Sequence, residues 1–82
     1  MMKFNVSIFT HSQKSYFDGQ AGSVVLPGRD GTFETLANHK PIMSLLKEGV
    51  IIVDKQVLPF LVKRGIAMMN KEGLVVLVEA IS

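Results

Sequence analysis

His39 follows Asp30 and Glu34 within a ten-residue window, and a carboxylate close to an imidazole can orient it and hold its proton. Asp30, Glu34 and His39 are therefore the first place to look for acid–base chemistry or metal ligation. The competing explanation is a histidine whose ring nitrogens tie its own loop, or a partner chain, in place. Zinc needs three or four ligands, and the other histidine, His11, stands in no ligand spacing to His39. Ser23 and Ser44 lie outside any Gly-x-Ser-x-Gly elbow, so neither is placed as a nucleophile. Gly28 and Gly31 around Arg29-Asp30 resemble a fragment of a phosphate loop, but no Gly-Lys-Ser or Gly-Lys-Thr follows and no helix opens there. Tyr16, Phe17 and Phe60 could stack on unpaired bases, yet they lack interleaved basic residues, and core packing accounts for them better. The expectation is no catalytic residue, no cofactor and no metal.

Those residues sit in or around Pro27 to Gly49, the only long stretch without a clean strand pattern, which reads as one kinked loop punctuated by glycine and proline. Loops of that kind, held by a rigid scaffold, usually carry binding. Within it Asp30-Gly31 is a turn, Phe33 an inward anchor, and Asn38-His39-Lys40-Pro41 an extended entry into a short strand from Ile42.

The flanks read as strand. Phe4, Val6 and Ile8 alternate with Asn5 and Ser7. After a polar turn at His11 to Ser15, Tyr16 and Phe17 reopen an extended segment, Asp18-Gly19 turns it, and Ser23 to Leu26 forms a strand that Pro27-Gly28 stops. Val50 to Val53 and Val57 to Val62 make a hairpin around Asp54-Lys55-Gln56, with Pro59 forcing an edge or a bulge. Gly65 interrupts the next strand, Ile66 to Met69, and Asn70 to Gly73 turns the chain into Leu74 to Val78, apolar on both faces. Adjacent Met68 and Met69 must point to opposite faces, leaving one for solvent or an interface. Short strands at this spacing predict a single all-β domain over residues 1–82, a small two-sheet β-sandwich or flattened barrel of about 8–10 strands.

The totals narrow the function. An 82-residue chain buries only about 60% of the surface its unfolded form exposes, and with no cysteine it has neither disulfide staples nor thiolate metal sites. Nine basic and seven acidic residues, scattered, give +2, too weak a field for a nucleic-acid footprint. The longest unbroken apolar run is Leu74 to Val78, far below the roughly 20 residues of a spanning helix. Several strands apolar on both faces leave an unmatched patch, the usual mark of a protein partner.

Pro27-Gly-x-x-Gly31, Phe33, Leu36, His39-x-Pro41, Ile42-Met43, Leu46 and Gly49-Val50 resemble the N-terminal β-sandwich domain of the epsilon subunit of F-type ATP synthase. The likeness extends to the opening strand, Phe17-x-Gly19, the return from Val57 to Gly65 and the closing strand. One departure is Ala37-Asn38, where the family carries Pro-Gly; Asn tolerates a left-handed backbone and can stand in for that glycine. The resemblance implies a non-catalytic central-stalk subunit that binds the gamma subunit and the c-ring and reaches the catalytic alpha/beta head only indirectly. It implies a peripheral position on the cytoplasmic face of the bacterial inner membrane, with no direct membrane insertion and no nucleic acid. Arg29, Asp30, Thr32, Glu34, Asn38, His39 and Lys40 would then meet gamma and the ring. Family members usually continue into a helical hairpin that can inhibit hydrolysis and in some cases binds ATP; 82 residues, if complete, imply coupling without either property. Two rivals remain at this stage: a stand-alone small β-barrel binding an oligonucleotide or sugar through 27–49, and a minimal hydrolase using His39 and Glu34.

Overall fold

The period-two pattern at the start becomes β1 (Phe4–Thr10), with Phe4, Val6 and Ile8 buried and Asn5, Ser7 and Phe9 turned to the other face. A computed structural model of the chain describes residues 2–38 and 40–81, and these form nine strands and no helix. The others are β2 (Ser15–Ala21), β3 (Ser23–Gly28), β4 (Gly31–Leu36), β5 (Ile42–Leu46), β6 (Ile52–Val53), β7 (Gln56–Val57), β8 (Leu61–Asn70) and β9 (Gly73–Ile81).

Hydrogen bonding runs along one path, β2-β1-β9-β8-β5-β3-β6-β7, with β4 added to β3. Every pairing is antiparallel except that of β1 with β9. The sheet curls, so that inward residues of β1, β8 and β9 meet those of β3 and the segment before β6. Val6, Ile8, Val24, Leu26, Ile51 and Val76 are fully buried there, each contributing about 1.5–3 kcal/mol by leaving water. The two inward threonines are satisfied locally: Thr35 Oγ1 donates to the Val24 carbonyl at 3.1 Å, and Thr10 Oγ1 accepts from the Lys14 amide at 3.1 Å. Tyr16 lies over Phe60 with ring centroids 4.1 Å apart, so these aromatics pack on each other inside the domain.

Five local expectations are corrected. The stretch from Pro27 to Gly49 is not one loop, because it contains β4 and β5. In β4 the inward positions are Phe33 and Thr35, and a polar residue at a buried position hides the alternation. Pro27-Gly28 does not stop β3 but ends inside it, and Asp18-Gly19 lies within β2, opposite Ser7 and Val6. Gly65 does not interrupt β8. A Cβ there would stand 2.5 Å from the Leu77 carbonyl oxygen, so glycine is what lets β8 pass close to β9. Pro59 lies outside the strands, after the short edge strand β7, and the bulge falls at Val62/Arg64 instead.

The β6–β7 hairpin shows how one side chain holds a strained turn. Asp54 and Lys55 have φ of 49° and 69°, the left-handed pair that a two-residue hairpin needs and that Asn-Gly would fill more easily. The Asp54 carboxylate accepts from the Gly22 amide at 2.8 Å and the Ser23 amide at 3.0 Å. It thereby bolts the hairpin to the start of β3. Asp54→Ala should cost about 1–3 kcal/mol, a fall in Tm of about 4 °C or more in a domain of this size. Lys55→Gly should raise Tm, since glycine adopts the same φ without the Cβ penalty; thermal melts followed by circular dichroism check both.

Candidate functional site

The residues expected to act together are distributed along β4 and beyond its two ends. Arg29 and Asp30 form the β3–β4 turn, closed by the Gly28 and Gly31 pair. Gly31 has φ of 136°, and a Cβ on Gly28 would stand 2.5 Å from the Gly31 carbonyl oxygen, so the tip is tight because two glycines make it so. Thr32 and Glu34 point outward from β4, which pairs only with β3 and forms an exposed edge. Asn38 and Lys40 belong to the connection into β5, beyond the other end of β4. Six strand residues span roughly 17–20 Å, so the turn and the connection lie at opposite ends of the domain. His39 lies outside the described residues.

Asp30 lies in the β3–β4 turn and Glu34 within β4, so the two carboxylates belong to different parts of the hairpin. Among the described residues no group of three or more His, Asp or Glu could hold a metal. The serines have ordinary roles: Ser44 Oγ donates to the Leu45 carbonyl at 3.4 Å, and the Ser23 amide is held by Asp54. Phe60 is buried under Tyr16, so these two rings stack on each other within the domain. Asn38 does adopt the left-handed backbone expected of a glycine substitute, with φ of 69°.

Sequence reasoning did not place the feature that dominates the outer surface. Strand pairing sets Phe9 beside Leu77, Leu77 beside Ile66, and Ile66 beside Leu45, one level of four apolar side chains across β1, β9, β8 and β5. The next level carries Val75, Met68 and Met43 in the same way. Met43 is 72% exposed, Leu45 50% and Met68 41%. Met69, by contrast, is buried, as two adjacent methionines on one strand require. The signal was present as outward apolar residues on four strands, but only the register brings them to the same two levels.

At one margin of this face an open groove of about 440 Å³ is lined by Leu45, Ile66 and Leu77, with Arg29, Arg64 and Glu79 among its polar residues. Arg64 Nε lies 2.9 Å from Glu79 Oε2, and Lys63 Nζ lies 3.6 Å from Glu79 Oε1. Arg29 makes no ion pair among the described residues, and its amide donates to the Leu45 carbonyl at 2.8 Å. A second depression, of about 420 Å³, lies at the other end between Phe4, Asn38, Pro41, Asn70 and Lys71.

The described residues form a strand-only scaffold with one apolar outer face and an exposed edge, an architecture of the β-sandwich class. Residues 3–82 match the family model described as the ATP synthase delta/epsilon chain β-sandwich domain, and the chain belongs to that family. It is 38% identical over 82 residues to the ATP synthase epsilon chain of Sulfurimonas denitrificans, covering 96% of this chain and 62% of that one. To the epsilon chain of Caulobacter vibrioides it is 35% identical over 81 residues, covering 96% and 93%. The chain thus spans about three-fifths of the first of these relatives and nearly all of the second. Its fold is similar to that of a chain in the cryo-EM structure of the central stalk and c-ring of the Tetrahymena thermophila mitochondrial ATP synthase. That match has a TM-score of 0.73 at 15% identity and covers 99% of this chain and 67% of that one.

Gly28→Ala should disturb the β3–β4 tip by overpacking, at about 1–3 kcal/mol. The expected outcome is a lower Tm with the strand signature retained in the far ultraviolet, and an unchanged Tm would mean the turn can open without cost.

Proposed function

We propose that this chain is a central-stalk subunit of a proton-driven F-type ATP synthase, binding the gamma subunit and the c-ring and helping to couple ring rotation to ATP synthesis. The family match along residues 3–82 is the observation that carries this reading. The task is mechanical. Torque passes through a body that must not deform, and a curled sheet closed around a packed core meets that need because close-packed interiors have low compressibility. The chain touches the alpha/beta head only indirectly and lies on the cytoplasmic face of the bacterial inner membrane as a peripheral part of the complex.

The partner-facing residues are Arg29, Asp30, Thr32, Glu34, Asn38, His39 and Lys40. Since the turn and the β4–β5 connection lie at opposite ends of the domain, they act as separate contacts joined by the outward side of β4. No single kinked loop reaches both partners. A wrongly placed charge at such a contact costs several kcal/mol.

Purification of the tagged chain from native membranes under mild detergent tests this reading. Recovery with gamma and the c subunits is the expected result; recovery of the chain alone, with the enzyme intact elsewhere in the gradient, would sink it. In the same preparation, Asp30→Lys combined with Glu34→Lys should reduce recovery of partners at least tenfold while leaving the Tm of the isolated chain within about 3 °C, because both side chains are exposed.

A further inference from the structure

With no cysteine in the chain, methionine thioethers are its only sulfur and the side chains that mild oxidants convert most readily. Four methionines lie among the described residues, and their surroundings differ. Met69 is 4% exposed and packed in the core, whereas Met43 is 72%, Met2 63% and Met68 41% exposed. Met2 precedes the first strand. Met43 and Met68 instead face each other across the antiparallel β5–β8 pair, a placement that brings their Cβ atoms to roughly 5 Å.

Oxidation at either position changes the chemistry of the surface without loading the fold. The thioether sulfur attacks one oxygen of hydrogen peroxide and the O–O bond breaks. The proton on the transferred oxygen passes to the departing hydroxide, which leaves as water. Sulfur loses two electrons, the peroxide gains them, and a polar S=O group stands where an apolar atom stood. The neighbours of the pair leave that group to water. Val75 follows Met68 on the same level, and Leu45 and Ile66 form the next. Ser7, the outward hydroxyl of the level, is two strands from Met68 and donates to Asp18 Oδ1 at 3.5 Å. Toward the β8–β9 turn, Asn70 uses its carboxamide oxygen to accept from the Glu72 amide at 2.8 Å. Sulfoxides at positions 43 and 68 are therefore hydrated in the free chain. Under a partner they lose that water, and a polar group desolvated without a new hydrogen bond is costly.

We propose that Met43 and Met68 form a paired oxidation site whose conversion to sulfoxides by hydrogen peroxide bars the free chain from assembly, while assembly shields the same two sulfurs. The proposal rests on the central-stalk reading, in which a partner subunit covers apolar surface of this chain. It adds a modification site and the interval in which that site acts, between release of the chain and its incorporation. Reversal takes two electrons from a dithiol through a methionine sulfoxide reductase, which returns the thioether and releases the oxygen as water.

Peroxide treatment of the purified chain, stopped with catalase before purified gamma is added, tests the proposal. Peptide mass spectrometry should find one oxygen added at Met43 and one at Met68, with Met69 reacting about tenfold more slowly because it is buried. The Tm should stay within a few degrees. Titration calorimetry should show gamma binding weakened about 100-fold, roughly tenfold for each sulfoxide left without a hydrogen bond. Methionine sulfoxide reductases A and B with dithiothreitol should restore it. Met43→Leu with Met68→Leu should bind gamma as wild type does and keep that affinity through peroxide treatment, although Met2 is still oxidised, which assigns the effect to the pair. Equal binding by oxidised and untreated wild type, an equal loss in the leucine variant, Met69 reacting as fast as Met43, or a loss of binding that tracks a loss of fold overturns the proposal and leaves the central-stalk reading in place. Failure of the untreated chain to bind gamma overturns both.

Discussion

The structure depends on β9. It is hydrogen-bonded to β1 on one side and to β8 on the other, and it divides its side chains strictly between two tasks. Leu74, Val76 and Val78 go into the core, while Val75 and Leu77 lie in the middle of the outer apolar face. Because side chains alternate with a period of two, a slip of one residue would exchange these sets and expose the core residues. Register along this one strand therefore fixes both the fold and the composition of the outward surface. The β8–β9 turn at Asn70 to Gly73 and the close approach at Gly65 are the devices that pin it.

Most of the architecture was legible in the chain. Alternation announced β1, β-branched runs announced β6 and β9, and turn chemistry located the reversals at Asp30-Gly31 and at Asn70 to Gly73. What misled was glycine and proline, read as stops where they serve as clearance. Gly65 makes room for the Leu77 carbonyl, and Gly28 makes room for Gly31 and Phe33. A local reading cannot see these neighbours, since they come from elsewhere in the fold or from the far side of a turn. The same limit applies to β4, whose buried Thr35 is supported by a hydrogen bond to a carbonyl eleven residues away.

Composition and motif spacing pointed away from chemistry and toward protein partners, and the family resemblance gave the same expectation. The seven marked residues appeared as one loop because they are contiguous, yet a strand between them carries them to opposite ends of the domain. The apolar outer face was expected as an unmatched patch but could not be located, for the converse reason. Its members come from four strands between Phe9 and Leu77, and only pairing makes them neighbours.

The side-by-side placement of β1 and β9 has a consequence for how the chain comes into being. Val6 to Thr10 find their parallel partners in Leu74 to Val78, nearly seventy residues later. A ribosome delivering this polypeptide from its amino end therefore leaves the first strand with a bare edge until the ninth has emerged. Long-range closure of that type is slow, and an unpaired apolar edge invites neighbouring nascent chains to dock on it. Biogenesis, more than the finished object, is where this topology is vulnerable.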